Sequence, residues 1–156
     1  MRLSPLPLSA TAFALALSAA PGLASPGAAQ GRSAEDTRTI DSYRLTMPVL
    51  RKVLPALYAP EAQSCPRESG RDPHALGIAE MVQSLEGCAP IRQSLKRAGV
   101  PARDAAIVFA SLLRTGQQVA LQGGKASALP PGVLRDNALL LEQNDPELRR
   151  LTKNGA

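Results

Sequence analysis

Aromatic side chains are scarce in this sequence, which contains two tyrosines, two phenylalanines and no tryptophan. Beyond the N-terminal segment only Tyr43, Tyr58 and Phe109 remain. Proteins that bind single-stranded nucleic acid stack successive bases on aromatic side chains, and three such residues are too few for that platform. We therefore expect no nucleic-acid partner, although the formal net charge is +5. The basic excess predicts no more than a weak affinity for anionic surfaces.

Metal-ligating side chains are equally few. The chain has one histidine, His74, and two cysteines, Cys65 and Cys88. A zinc site takes three or four nitrogen, sulfur or oxygen ligands, and this set does not supply a usual combination once the cysteines are paired. We therefore expect no metal and no cofactor.

Motifs of catalysis and phosphate binding are also missing. No serine lies in a G-x-S-x-G elbow. The string Gly123-Gly124-Lys125 departs from the phosphate-binding loop, because Val119 replaces its first glycine and Ala126 replaces its hydroxyl residue. His74 follows Asp72 at a predicted helix start. An exposed histidine at a helix start is a simpler interpretation of this residue than a catalytic general base. We expect no catalytic residue, and an enzyme is the less favoured class.

The longest apolar run lies at the N-terminus. Arg2 precedes an apolar segment from Leu6 to Ala20, and small residues and turn formers follow. This order is typical of a cleaved secretory signal peptide. About 15 residues fall short of the roughly 20 that a membrane-spanning helix needs. We predict a signal peptide over residues 1–24, cleaved after Ala24 or alternatively after Ala29. The mature protein is then exported, periplasmic or extracellular, without an integral membrane segment.

The two cysteines form an isolated pair. In an oxidising compartment such a pair favours a disulfide. Closing a loop of about 24 residues contributes roughly 3 kcal/mol in the chain-entropy model. A redox-active pair is less favoured because the C-x-x-C spacing, which lowers a thiol pKa, is absent. We predict a structural disulfide between Cys65 and Cys88.

Apolar residues in the rest of the chain recur every three or four positions, and no segment alternates with period two over strand length. This pattern predicts an all-α fold, a small bundle of five to six short helices. Residues 25–39 read as a disordered leader and residues 40–153 as a single helical domain. We predict helices at Pro48–Tyr58, Asp72–Glu86, Pro90–Gly99, Pro101–Gly123 and Val133–Gln143, and a last helix capped by Asp145. Pro55 is expected to kink or shorten the first of these helices. The longest predicted loop is Ala59–Arg71.

A helix, an Ala-Gly-Val turn and a second helix over residues 91–113 have the spacing of a DNA-binding helix-turn-helix. A recognition helix presents polar side chains to the edges of bases. Here the second helix offers Ile107, Val108 and Phe109, which belong in a core. We interpret the motif as a helix hairpin with a glycine C-cap.

The same hairpin carries a resemblance. Its parts are a proline-started helix ending in Leu95, the turn Ala98-Gly99-Val100 and a long apolar helix opened by Arg103-Asp104. Leu45-Thr46-Met47 precedes them, and an Asn-initiated C-terminal helix follows, with Asn137 and Asn144 both fitting its start. Together they resemble an uncharacterised family of small exported α-helical bacterial proteins. The resemblance covers residues 40–151 and implies a helical fold and an exported location, with no known activity.

Three classes of function fit these observations. We favour a non-enzymatic protein that binds a protein partner or an apolar ligand in a groove between amphipathic helices. The alternatives are a periplasmic stress-type chaperone that shields unfolded clients and an exported enzyme with an unrecognised site. An exposed apolar cleft would favour binding, whereas a cleft that gathers titratable groups around His74 or Asp72 would favour the enzyme.

Overall fold

The protein is represented by a computed structural model that describes residues 31–65 and 72–153. Within these two ranges the chain forms seven α-helices and no strand, apart from an isolated antiparallel bridge between Gly31 and Leu76. The elements are α1 (Ala34–Ser42), α2 (Met47–Leu57), α3 (Ile78–Gly87), α4 (Ala89–Ala98), α5 (Ala102–Leu121), α6 (Val133–Gln143), α7 (Asp145–Lys153) and the 3₁₀ turns Pro60–Ser64 and Ala126–Ala128. The predicted all-α fold is confirmed. The predicted signal peptide, residues 1–24, lies outside the described residues.

The boundary between the predicted leader, residues 25–39, and the helical domain needs correction, because α1 begins at Ala34. Ser33 and Asp36 form a capping box: the Asp36 amide donates to Ser33 Oγ at 3.0 Å, and the Ser33 amide donates to the Asp36 carboxylate at 3.3 Å. Such a box satisfies two free amides at the helix start. Ile40, which is 1% exposed, anchors the helix in the core. The helical domain therefore begins before Ile40.

The helix predicted to start at Asp72 starts later, at Ile78. The Asp72 carboxylate accepts a hydrogen bond from the His74 amide at 2.9 Å, and its carbonyl accepts one from the Ala75 amide, also at 2.9 Å. These bonds close a turn rather than a helix. Leu76 then pairs with the N-terminal segment in the isolated bridge. A contact distant in sequence thus takes this stretch out of the helix that its local pattern predicts.

Pro55, Gly99 and Gly87 lie near the ends of predicted helices and affect these ends in different ways. Pro55 does not shorten α2, because the Tyr58 amide donates to the Leu54 carbonyl at 2.9 Å and the helix runs to Leu57. Gly99 is the C-cap of α4 as predicted, with φ at 65°. Gly87 is the last helical residue of α3, one residue beyond the predicted end at Glu86, and has no positive φ.

The last helix begins one residue away from its predicted cap. Asp145 is its first helical residue, and its carboxylate accepts a hydrogen bond from Arg149 at 2.7 Å. The carbonyl of Asn144 accepts the amides of Glu147 and Leu148, each at 3.0 Å. Asn144 therefore occupies the position at which the chain enters α7.

The core is built around α5, which contributes to two of three buried clusters. On one side Ala105 and Val108 pack with α2 and α4. On another side Ala106, Ile107 and Ala110 pack with α1 and α3. A third, small cluster joins the turn Ala126–Ala128 to α6. All described core residues lie after residue 39, so a chain that starts at Ser25 contains the whole described core.

Asn137 on α6 is a buried polar residue, 2% exposed, that fixes the connection between α1 and α2. Its Nδ2 donates to the Tyr43 carbonyl at 2.9 Å, and its Oδ1 accepts from the Leu45 amide at 2.9 Å. One side chain thereby satisfies the buried amide of Leu45 and the partly buried carbonyl of Tyr43.

Candidate binding groove

The two halves of α5 have different surroundings. The helix has 20 residues, whereas the other described α-helices have 9–11. Six residues of its first half are buried, namely Ala105, Ala106, Ile107, Val108, Ala110 and Ser111. In the second half, from Leu112 on, Thr115 is the buried one. The helix therefore continues beyond the neighbours that enclose its start.

The open part of α5 forms an apolar groove of about 600 Å³, here called the α5 groove. Tyr58, at the end of α2, and His74, in the turn before α3, also line it. Because residues three and four apart share one face of a helix, the contributing α5 residues form a continuous stripe. Those residues are Phe109, Leu112, Leu113, Gly116, Gln117, Ala120 and Leu121.

The exposure of these side chains makes the groove unusual for this molecule. Two large apolar side chains are exposed among the described residues, Tyr58 at 38% and Leu121 at 70%. Both line the α5 groove. Contiguous exposed apolar surface marks binding sites more often than scattered apolar residues do. The groove is therefore the strongest candidate for a functional surface in the described chain.

Gly116 lies in the middle of the groove floor. A Cβ added there would meet nothing within 4 Å. Glycine inside a helix costs about 0.8–1 kcal/mol relative to alanine. The sequence thus accepts a less stable helix at a position where the missing side chain deepens the groove.

Polar groups of the groove come from Tyr58, His74 and Gln117. His74 Nδ1 is buried without a hydrogen-bond partner, while the His74 backbone amide donates to Asp72. Asp72 does not line the groove, so the structure brings no second catalytic side chain to His74 there. The described lining holds no acidic residue, no lysine and no arginine. Its chemistry suits an apolar binding partner rather than general acid–base catalysis.

Ion pairs lie outside the groove lining. Arg114 donates to Asp41 at 3.0 Å and ties α5 to α1. Arg51 donates to Glu147 at 2.6 and 3.1 Å, which joins α2 to α7 and lowers the pKa of the Glu147 carboxyl below its usual range. Burial, with the nearby Asp104 charge, raises the pKa of Tyr43. These interactions organise the bundle and leave the groove uncharged.

A second depression, of about 740 Å³, lies beside α4. Glu61, Pro90, Gln93, Lys96 and Arg97 line it. Charged and amide side chains dominate this lining, and they are well solvated where they are exposed. It offers no apolar face comparable to the α5 groove.

The predicted disulfide is present, and it fastens the connection that carries one wall of the groove. Cys65 and Cys88 are joined, with their Cα atoms 5.7 Å apart, and Cys88 is 7% exposed. The bond holds the end of the turn Pro60–Ser64 against the junction of α3 and α4. Tyr58 and His74 lie on either side of Cys65 in sequence, on the connection from α2 to α3. A disulfide pair of this kind is typical of an oxidising compartment.

None of the helices in the described part of the chain is both long and apolar enough to cross a membrane. No group of three or more histidine, cysteine, aspartate or glutamate side chains is placed to hold a metal ion in residues 31–65 and 72–153.

The sequence pattern did not predict that the second half of α5 is less enclosed than the first. Its apolar residues predict a core helix along its whole length, and the groove depends on where the neighbouring helices end. A usable signal is length, because α5 is about twice as long as any other helix in the described bundle. A second signal is Gly116, a glycine inside an otherwise apolar stripe.

Comparisons with protein-family models, with curated proteins and with solved structures give no match to this chain.

Proposed function

We propose that this chain is a non-enzymatic helical binding protein of an exported, oxidising compartment, periplasmic or extracellular, and that it takes an apolar helix of a partner polypeptide into the α5 groove. The observation that carries the proposal is the uncovered apolar face of α5. The disulfide between Cys65 and Cys88 supports the compartment, because such bonds persist where thiols are not kept reduced.

The shape of the groove supports a helix as its occupant. The stripe from Phe109 to Leu121 extends about 18 Å at 1.5 Å per residue. Helices that bind in grooves use anchors at positions i, i+3, i+4 and i+7, which match a stripe of this length. Gly116 and Ala120 have small side chains, so a partner helix can approach α5 closely at the centre of the stripe.

The energetics also favour an apolar partner. Burying a leucine side chain contributes about 1.5–3 kcal/mol. Leu121 is 70% exposed and can gain much of this value when it is covered. The described lining holds no acidic residue, lysine or arginine that would have to lose its water, so the desolvation penalty is confined to the polar groups of Tyr58, His74 and Gln117.

A peptide-binding titration tests the proposal. The chain from Ser25, which contains the described core, is titrated into a fluorescein-labelled 18-residue amphipathic peptide of leucine, alanine and lysine. Fluorescence anisotropy should show saturable binding, and a control peptide with glutamine in place of leucine should not bind. Absence of saturable binding to the leucine peptide would overturn the proposal.

Two neighbouring variants locate the binding. Leu121→Lys places a charge in the groove and should weaken binding about tenfold or more, which corresponds to at least about 1.4 kcal/mol. Gln122→Lys adds the same charge one residue away, outside the groove lining, and should leave the affinity unchanged. Equal effects of both variants would contradict the α5 groove as the binding site. If N-phenyl-1-naphthylamine binds in a Leu121-dependent manner and the peptide does not, the groove belongs to a small apolar ligand instead.

A further inference from the structure

We infer that the chain's own N-terminal apolar segment, Leu6–Ala20, occupies the α5 groove in the precursor, so that the groove opens only when this segment is removed. The inference rests on the proposed function, since it names the first apolar segment that the groove receives. It goes further because it makes signal-peptide cleavage the step that releases the binding site.

This inference is supported by the contacts of Gly31 and Arg32, the first two described residues. Gly31 pairs with Leu76 in the isolated bridge, and the Arg32 amide donates to the Ala75 carbonyl at 2.9 Å. Arg32 Nε also donates to the Leu76 carbonyl, at 3.3 Å. The next residue toward the N-terminus from Ala75 is His74, which lines the groove. The described chain therefore begins beside the turn that carries His74, which forms one wall of the α5 groove.

The lengths match. The ten residues between Ala20 and Gly31 can reach about 33 Å when extended, so the tether is long enough to return the apolar segment to the groove. A helix of about 15 residues is about 22 Å long, and the α5 stripe extends about 18 Å. A helix of this length can therefore extend along the whole stripe.

The chemistry matches as well. Leu6–Ala20 contains leucine, alanine and other uncharged residues and no charged side chain. Its alanines allow close approach to Gly116 and Ala120, while its leucines can cover Leu113 and Leu121. A tether of about ten residues gives an effective concentration in the millimolar range, so even a contact with a Kd of about 10 µM would be about 99% occupied.

Photo-crosslinking in the full chain tests where the segment lies. Phe13 is replaced by p-benzoylphenylalanine, a conservative change inside the apolar segment. After irradiation at submicromolar concentration, peptide mapping by mass spectrometry should show a crosslink within one chain to residues 109–121. Crosslinks to other parts of the fold, or only between two chains, would overturn the inference.

Binding of the labelled amphipathic peptide gives a second, independent readout. The full chain should bind it at least about tenfold more weakly than the chain from Ser25. Leu15→Arg with Leu17→Arg in the full chain should restore the affinity and abolish the crosslink. Ser4→Arg with Ser25→Arg adds the same charge outside the apolar segment and should change neither.

The outcomes separate the two proposals. If the full chain binds the peptide as tightly as the chain from Ser25, self-occupancy is wrong and the proposed binding function stands. If neither chain binds the peptide, the proposed function is wrong, and the crosslink from position 13 still decides whether the segment lies on α5.

Discussion

The first and second halves of α5 differ in how much of their apolar surface is covered by other helices. Between residues 105 and 111, the buried side chains of α5 pack against α1, α2, α3 and α4, and Ala105, Ala106 and Val108 have no exposed surface. Residues 112–121 keep one covered face, where Val119 packs near Ala126 and Ala138, and leave the opposite face open. Apolar residues continue into the second half at Leu112, Leu113, Val119, Ala120 and Leu121, and how much of them is buried depends on how far the neighbouring helices reach.

We expect the two halves of α5 to contribute differently to the stability of the protein and to binding. A side chain in the first half contributes to the free energy of unfolding through close packing. An exposed side chain of the groove in the second half, such as Leu121, can be changed at little cost to folding. Substitutions matched between the halves are the direct way to test this division.

Ile107→Ala against Leu121→Ala should show the largest difference. Ile107 is 8% exposed inside a core cluster, and its truncation should lower the free energy of unfolding by about 2–5 kcal/mol. Leu121→Ala removes an exposed side chain and should change it by no more than about 0.5 kcal/mol. Chemical denaturation followed by circular dichroism measures both. Equal losses would show that the second half is as closed as the first.

Removing the disulfide tests how much the bond contributes to the stability of the fold. Cys65→Ser with Cys88→Ser should lower the free energy of unfolding by about 3 kcal/mol, because the unfolded chain loses a crosslink. The wild-type protein under reductant should resemble the double variant, and the variant itself should not respond to reductant. A wild type that keeps its stability under reductant would contradict a structural role for the bond.

Gly116→Ala is the smallest and the most diagnostic change. Because a Cβ there meets nothing within 4 Å, the variant should gain about 0.8–1 kcal/mol of helix stability. The opposite exchange, Ala110→Gly, removes a fully buried methyl in the enclosed half and should destabilise by more than that amount. Thermal unfolding reports both. Destabilisation by Gly116→Ala would mean that the space above the glycine is filled.

Local signals were enough to predict most of the bundle. The glycine after α4 ends that helix as its sequence indicates, and α2, α5 and α6 lie close to their predicted bounds. The disulfide followed from the cysteine count and the predicted compartment. These features depend on neighbouring residues or on composition, so one sequence suffices.

Features that depend on distant contacts could not be predicted. α1 has little apolar periodicity and is held by a capping box and by Ile40. The start of α3 is delayed because Leu76 pairs with Gly31, which is far away in sequence. The α5 groove likewise depends on where the other helices end, and single-sequence patterns do not contain that information.

The buried amide of Asn137 has a consequence for the order in which the chain can assemble. Its two partners, Tyr43 and Leu45, precede it by 94 and 92 residues. A chain that emerges N-terminus first carries an unfinished link between α1 and α2 until α6 has followed. The connection between α1 and α2 is therefore completed only after residues 133–143 have been synthesised, because Asn137 supplies both of these hydrogen bonds.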